Sequence, residues 1–223
     1  MDNIVVYTAI TNSYDTLKSP PDFNGDAECV AFMDEVQPCN GWQIRPACSD
    51  FSDPCRNAKA HKILPHVYFP DKEYSLWIDG SVTIKFTFPI SRLIRENLSE
   101  CDLAVFRHPR RNCIYQEASV CSALYKDDPA LIGRQVQRYA AEQYPADNGL
   151  AECTVLLRRH TSRVIQFSEM WYDEITKYSR RDQLSFNYVA HRLDIPVAYF
   201  PGYLDASDLF QKDFPRHQRF CAK

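Results

Sequence analysis

Glycine is scarce in this chain, with 6 residues among 223, and the glycine-dependent binding motifs are missing. The sequence contains no GxGxxG, which argues against a dinucleotide-dependent dehydrogenase. It contains no GxxxxGK[ST], which excludes a P-loop. It also lacks the GxSxG elbow of α/β-hydrolases. Any phosphate-binding function must therefore rest on other residues.

Other absences narrow the class of protein. No charged n-region precedes an apolar h-region, and no apolar run is long enough to span a bilayer, so we expect a cytoplasmic protein without a membrane span. The net charge of -3 gives no bulk attraction to nucleic acid. The nine cysteines are odd in number and include no CxxC pair, which favours reduced thiols over disulfides or a zinc finger.

The composition is that of an ordinary globular protein, with 45% hydrophobic and 25% charged residues. A chain of this length buries a core without disulfide staples. Apolar β-branched runs alternate with helical patterns along the sequence. This alternation predicts an α/β fold, with a largely parallel central sheet flanked by helices.

The stretch Tyr74 to Ser81 is the centre of the functional argument. It begins as an apolar strand and ends in Asp79, Gly80 and Ser81. Ligands of open α/β sheets bind beyond the carboxyl ends of strands, and hard cations such as Mg²⁺ or Mn²⁺ prefer carboxylate and other oxygen ligands. Asp79 and Ser81 are therefore candidate metal ligands, and Gly80 would let a ligand approach the backbone. The competing interpretation is that Asp-Gly is simply a turn.

A predicted helix supplies positive charge. Asp53 is a candidate cap and the helix ends before Pro65. Arg56, Lys59 and Lys62 recur at steps of three, so they lie near one face. That face is either solvated or directed at a diphosphate or at Asp79.

A second strand, Leu103 to Phe106, ends in basic residues. His108, Arg110 and Arg111 follow it, and arginines bind phosphate oxygens bidentately. Plain solvent exposure of the arginines is the competing interpretation. Glu117 falls in the first turn of the next predicted helix, where an acid is often only a partner of the helix dipole.

Three further patterns complete the prediction. Val82 to Phe88 alternates apolar and polar residues, which predicts a half-buried strand. The aromatic stripe from Val164 to Tyr178 indicates a core-facing helix. Asp182 stands near a helix start, where it could serve merely as a cap. Together, an acid, oxygen ligands and several cations fit a nucleotide-diphosphate ligand better than any single motif does.

Five ordered strings carry a family resemblance. They are VVYTAITNSYD (5–15), RNAKAHKILPH (56–66), SLWIDGS (75–81), RHPRRNCIYQEA (107–118) and RRDQLSF (180–186). The sequence resembles a glycosyltransferase-like domain family found in bacteria and in plant proteins linked to cell-wall polysaccharides. It is also similar to the small glycosyltransferase domain encoded by large chlorella viruses.

The resemblance implies a GT-A fold, in which a Rossmann-like half binds a nucleotide-sugar and a divalent metal, Mn²⁺ or Mg²⁺, joins the diphosphate to a DxD-type motif. It implies one domain over residues 1–223. The nucleotide-binding half would span about 1–110 and the acceptor-side half about 111–205, followed by a tail at 206–223. The implied partners are a UDP-sugar donor, with UDP-glucose the first choice, and a glycan or glycoprotein acceptor.

The resemblance also implies roles for individual residues. Asp79 matches the first acid of the metal motif, Ser81 stands where many relatives have the second, and His217 or His191 would supply a late ligand. Asp182 and Gln183 resemble the catalytic Asp-Gln of retaining transferases. The acceptor side would hold Glu152 and Glu117. The implied donor-binding residues are Thr8, Ala9, Asp15, Arg56, Lys59, Lys62, Asp79, Gly80, Ser81, His108 and Arg110.

The resulting hypothesis is that the protein is a metal-dependent hexosyltransferase, and two alternatives remain open. In the hypothesis, metal and cations stabilise charge on the departing diphosphate. Retention of configuration is favoured because no general base is evident. A nucleotidyltransferase would use similar groups and release pyrophosphate. A non-catalytic nucleotide-sugar or carbohydrate-binding module would keep the pocket without chemistry, and Ser81 in place of the second acid keeps that alternative open.

Overall fold

The computed structural model describes residues 3–35 and 38–213. Strands and helices alternate along them, as the sequence predicts. The strands are β1 (Ile4–Ile10), β2 (Glu28–Met33), β3 (Gln43–Pro46), β4 (Tyr74–Ile78), β5 (Val82–Ile84), β6 (Leu103–Arg107), β7 (Ala151–Arg159), β8 (Ala198–Tyr199) and β9 (Phe210–Lys212). The α-helices are α1 (Pro54–Ile63), α2 (Pro65–Tyr68), α3 (Ile90–Asn97), α4 (Ile114–Ala123), α5 (Pro129–Ala141), α6 (Ser162–Lys177) and α7 (Asp182–Arg192), and a 3₁₀ turn spans Leu204–Ala206.

Seven strands form the central sheet, in the order β3-β2-β1-β4-β7-β6-β8. All neighbours pair in parallel except β7, which is antiparallel to both β4 and β6. The predicted α/β class with a largely parallel sheet is confirmed. All seven residues of β1 are buried, as expected for a strand covered on both faces.

The sheet interleaves the two halves that the sequence analysis distinguishes. Strand β7 comes from the second half, yet it lies between β4 and β6 of the first half. Because β7 runs antiparallel, its first residues lie at the edge where β4 and β6 end. Residues from distant parts of the chain therefore meet at one edge of the sheet.

Each face of the sheet has its own hydrophobic core. One core includes Val5, Ile63, Phe167 and Phe186, and joins the sheet to α1, α6 and α7. The other includes side chains of α3, β5 and β9. Within the described ranges, no helix is both long and apolar enough to cross a bilayer.

The predicted strand from Val82 to Phe88 is wrong in its second half. Strand β5 ends at Ile84, which pairs with Phe210, the first residue of β9. Without a partner strand beyond that point, the alternating pattern does not continue as sheet. The rings of Phe86 and Phe88 instead stack on each other with centroids 4.5 Å apart.

Candidate active site

Asp79 lies directly after β4, at the carboxyl edge of the sheet. Its Oδ1 accepts hydrogen bonds from Trp77 Nε1 at 2.7 Å and from Lys62 Nζ at 3.0 Å. Alternation along the strand places Trp77 and Asp79 on the same face, which explains the indole contact. The Asp79 side chain remains 33% exposed, so one edge of its carboxylate is open to a ligand.

Lys62 lies beneath this edge and joins two carboxylates. Its ammonium is 3.0 Å from Asp79 and 2.7 Å from Asp182, and its side chain is 1% exposed. Lys59, one turn earlier on α1, is 2.6 Å from Asp182. The basic face of α1 is therefore directed at the end of β4, and the solvated alternative is wrong for Lys62.

Asp182 is the most enclosed acid of this cluster. It is the first residue of α7, but Arg181 holds the cap position, so Asp182 is not the cap. Its Oδ2 contacts Lys59 and Lys62, and its Oδ1 accepts the Gln183 amide hydrogen at 3.1 Å. Burial would raise the pKa of Asp182, but Lys59 and Lys62 outweigh it and hold the pKa well below its usual range.

The same ion pairs act in the opposite sense on Lys62. Burial alone would lower the pKa of Lys62, but the carboxylates of Asp182 and Asp79 raise it above the ordinary value. The Asp182–Lys62 pair is therefore ionised at neutral pH. Each of its two charges faces an opposite one, which permits burial of ionised groups that would be costly if unpaired.

Hydrogen bonds from Tyr7 and Arg158 hold the C-terminal end of α1 in place. The Lys62 carbonyl accepts hydrogen bonds from Tyr7 Oη at 2.9 Å and from Arg158 Nη2 at 2.8 Å. Arg158 is fully buried, also donates to the Tyr7 hydroxyl, and burial lowers its pKa. These contacts position Lys62 through its backbone.

The loop after β1 lies against the Asp79 turn. A Cβ on Gly80 would lie 2.9 Å from Asp15 Cβ and 3.0 Å from Ile10 Cγ1, so only glycine fits without a shift. Lys18 Nζ donates to the Gly80 carbonyl at 2.7 Å. Gly80 is therefore a packing requirement between the two loops, in addition to any role in ligand approach.

The remaining residues predicted on the donor side differ in accessibility. Thr8 and Ala9 lie inside β1 with 1% and 8% exposure, so neither presents much side-chain area. Arg56 donates from Nη2 to the Tyr178 carbonyl at 2.9 Å and lies 3.7 Å from Asp53. Gln183 donates to the Ala151 carbonyl at 3.2 Å, which ties α7 to β7.

The residues after β6 form a second group. His108 Nδ1 accepts the amide hydrogens of Arg110 and Arg111 at 3.2 and 3.1 Å, and burial chiefly lowers its pKa. Arg111 pairs with the buried Glu117 at 2.6 Å, so Glu117 is an ion-pair partner rather than only a dipole partner. The side chain of Arg110 is exposed.

Glu152 lies at the start of β7, beside this second group. Its Oε1 accepts from Lys212 Nζ at 2.5 Å and from Thr154 Oγ1 at 3.2 Å. Its Oε2 is buried and has no hydrogen-bond partner within the described ranges. Lys212 belongs to β9, so the last described strand holds this acid at the sheet edge.

Comparisons with known proteins bear on this arrangement. The family model of the TOD1/MUCI70 glycosyltransferase-like domain matches residues 42–204. The chain belongs to this family. The match covers α1, β4, β6, β7 and α7, which are the elements that carry the two groups of residues described above.

Two curated relatives come from Arabidopsis thaliana. The probable hexosyltransferase MUCI70 is 29% identical over 220 residues, covering 85% of this chain and 37% of the relative. The alkaline ceramidase TOD1 is 26% identical over 159 residues, covering 66% of this chain and 34% of the relative. The chain thus spans little more than a third of the length of these two relatives.

The apo structure of the bifunctional glycosyltransferase WbbM has a similar fold. It aligns with a TM-score of 0.51 and 11% identity, over 90% of this chain and 38% of that one. At this identity the likeness concerns the fold alone. It agrees with the mostly parallel Rossmann-like sheet that the sequence predicts.

Few side chains of the described residues could serve as metal ligands beside Asp79. No three histidine, cysteine, aspartate or glutamate side chains converge there or elsewhere in 3–35 and 38–213. A Mg²⁺-type ion needs only one or two carboxylates when substrate phosphates and water complete its shell. The open edge of Asp79 fits that requirement, and Ser81 is two residues away. His217 lies outside the described residues.

Several site residues escaped the sequence analysis. Trp77 and Arg181 lie in the strings SLWIDGS and RRDQLSF, of which other residues were predicted as site residues, and Lys212 lies in the predicted tail at 206–223. The step of two from Trp77 to Asp79 could have revealed the indole contact. Nothing in the sequence pairs Lys212 with Glu152, 60 residues apart. His191, considered as a metal ligand, lies at the far end of α7, about 13 Å along the helix from Asp182.

Proposed function

We propose that this domain is a glycosyltransferase that moves a hexose from a UDP-sugar, with UDP-glucose the first choice, to a glycan or glycoprotein acceptor. One observation carries the proposal. In a chain of a glycosyltransferase-like family, the ion-paired side chains of Asp79, Lys62, Asp182 and Lys59 form a cluster at the carboxyl edge of the sheet, where ligands of such sheets bind.

Hydrogen-bond donors without a partner near this cluster support a diphosphate ligand. Arg56 Nη1 and Arg181 Nε are buried and have no hydrogen-bond partner among the described residues. Guanidinium groups with unused donors match phosphate oxygens. In the proposal, these donors and Lys59 stabilise the charge that grows on the departing diphosphate.

A divalent cation, Mn²⁺ or Mg²⁺, forms part of the proposal. Asp79 would hold it from its open edge, and Ser81 or His217 would complete the protein share of the shell. When bound, the ion would supply Lewis-acid stabilisation of the leaving diphosphate. Asp79 itself is oriented by Trp77 and Lys62.

Retention of configuration is the proposed stereochemical outcome. The depressed pKa of Asp182 makes this acid a weak general base, since good catalytic bases have pKa values near the working pH. Its engaged oxygens suit an electrostatic role beside the reacting sugar, with Gln183 next to it. The test is product analysis: a β-linked product from an α-linked donor would refute retention.

The donor site can be tested by thermal unfolding with UDP, UDP-glucose and GDP-mannose, each with and without Mn²⁺. A ligand at about 100 times its Kd adds about 2.7 kcal/mol, and each kcal/mol raises the Tm of a domain this size by about 2–4 °C. We expect a shift of several degrees with the UDP compounds plus Mn²⁺, and none with Asp79→Asn.

The matched control is Asp71→Asn, which removes an exposed carboxylate without touching the cluster and should keep the full shift. If UDP raises the Tm without Mn²⁺, the donor site is supported and the proposed metal dependence is refuted. No shift with any nucleotide-sugar would refute the donor site.

A non-catalytic nucleotide-sugar module is the second candidate. It is favoured by Ser81, which stands in place of an acid, and by the lack of a three-ligand cluster in the described part of the chain. Binding of UDP-glucose without transfer or hydrolysis, across a panel of acceptors, would support it. Release of pyrophosphate rather than UDP would instead indicate a nucleotidyltransferase.

A further inference from the structure

A cleft of about 280 Å³ opens beside the loop that follows β6. Its lining contains no acidic residue and includes Arg107, His108, Arg110 and Arg111. None of the four members of the Asp79 cluster lines it. Ligand pockets usually span ~300–1,000 Å³, so this cleft suits a single sugar unit or a small anion better than a whole nucleotide-sugar.

Two of its three arginines have no counter-ion among the described residues. Arg111 is neutralised by Glu117 at 2.6 Å. Arg110 is exposed, and its side chain makes no ion pair there. Arg107 also lacks an acidic partner and lies over the ring of Tyr199, 3.9 Å from its centroid. A protein with a net charge of -3 thus concentrates unpaired positive charge in one concave surface.

The loop is organised before any ligand binds. His108 Nδ1 accepts the amide hydrogens of Arg110 and Arg111, and burial lowers the pKa of His108, which disfavours the doubly protonated ring that could not accept them. Stacking on Tyr199 restricts Arg107. Preorganised donors lose less entropy on binding than free side chains do.

The helix that follows adds to the positive potential. Strand β6 leads into α4, a helix of 10 residues whose N-terminus has no side-chain cap. The helix dipole favours negative charge at this end, where the carboxylate of Glu117 in the first turn is already neutralised by Arg111. The concave shape of the cleft, its two unpaired arginines and the dipole of α4 therefore all favour the binding of an anion.

We propose that this cleft binds a carboxylate or phosphate group carried by the second substrate, so that the acceptor is an anionic glycan rather than a neutral one. This inference rests on the proposed transferase function. Its location supports the acceptor side, because Phe106 and Arg107 at the end of β6 pair with Glu152 and Ala151 at the start of β7. The sequence analysis predicted His108 and Arg110 as donor-binding residues, so the competing explanation is that the cleft binds the diphosphate of the UDP-sugar.

The test is equilibrium binding by NMR titration of the whole chain, with inorganic phosphate, glucuronate, glucose and, in the presence of Mg²⁺, UDP as probes. We compare wild type with Arg110→Gln and with Arg95→Gln, which removes an exposed arginine on α3 outside the cleft. Phosphate and glucuronate should bind and glucose should not. Arg110→Gln should weaken both anions about tenfold, as expected for a lost charge-assisted hydrogen bond, and weaken UDP far less. Arg95→Gln should change neither.

The other outcomes separate the possible failures. If UDP displaces phosphate and Arg110→Gln weakens UDP as much as the anions, the cleft belongs to the donor and the acceptor inference is refuted. Equal losses with Arg95→Gln would indicate diffuse electrostatics and also refute it. If the anions bind as expected but UDP does not bind at all, the proposed function fails while the anion site stands. An anionic acceptor is then supported only if oligosaccharides of glucuronate bind more tightly than glucuronate and their neutral counterparts do not bind.

Discussion

Asp182 and Glu152 are buried to nearly the same degree, with 3% and 4% exposure, but their surroundings differ. Asp182 is held by two lysines and an amide, with both oxygens engaged. Glu152 uses only one oxygen, which contacts Lys212 and Thr154, and its Oε2 has no partner in the described part of the chain.

The difference separates two kinds of buried acid. A carboxylate with saturated oxygens joins α1 to α7 and contributes a fixed charge. A carboxylate with an unused buried oxygen lacks a hydrogen bond that burial normally demands, so a ligand hydroxyl or a water would complete it. We therefore expect Asp182 to matter for stability and Glu152 for binding of the second substrate.

The largest expected effect comes from Asp182→Ala. Removing one member of a buried ion pair leaves Lys62 incompletely paired and costs about 3–5 kcal/mol. Urea denaturation should show this loss in the free energy of unfolding. Glu152→Gln is the comparison variant and should cost less than about 1 kcal/mol, because its partner Lys212 is 34% exposed. Equal losses would end the distinction between the two acids.

Gly80→Ala tests how tightly the Asp79 turn is packed. The new Cβ would lie 2.9–3.0 Å from atoms of Asp15 and Ile10, and overpacking of this kind costs about 1–3 kcal/mol. Gly133→Ala is the matched control, since nothing lies within 4 Å of its added Cβ and it sits in α5, where alanine adds about 0.5–1 kcal/mol. A neutral Gly80→Ala would show that the two loops separate easily.

The pH dependence of stability isolates the charge of Asp182. Its folded pKa is lowered from 3.8, so the folded state binds fewer protons than the unfolded one. Its contribution is fully present above pH 3.8 and is lost as the pH falls below that value, by up to about 1.4 kcal/mol per pH unit. The stability difference between wild type and Asp182→Asn should shrink over that window. Asp71→Asn, which removes an exposed carboxylate outside the cluster, is the control variant.

The sequence predicted the sheet and the approach of the basic face of α1 to Asp79 for identifiable reasons. Buried parallel strands read as apolar runs, and the step of three along α1 placed Lys59 and Lys62 on one face. The spacing could not show that Lys62 is buried between two acids, because Asp182 lies 120 positions away. The end of β5 was also hidden, since it depends on where β9 stops pairing.

The surroundings of Glu152 were less predictable, since its contacts are long-range and depend on one antiparallel strand. Glu152 reaches the edge only because β7 runs against its neighbours. The Lys212 contact then depends on β9 crossing to β5. Neither feature has a local sequence signal.

The smallest expected stability effect concerns the Glu152–Lys212 pair itself. A double-mutant cycle with Glu152→Gln and Lys212→Gln should give a coupling free energy below about 1 kcal/mol, because one partner is partly exposed and screened. If Oε2 serves the second substrate, Glu152→Gln should nevertheless change KM for the acceptor or turnover about tenfold or more, while KM for the donor stays near wild type. A coupling of several kcal/mol without any kinetic change would make Glu152 a structural acid like Asp182. The unused oxygen would then be a site for a bound water rather than for substrate.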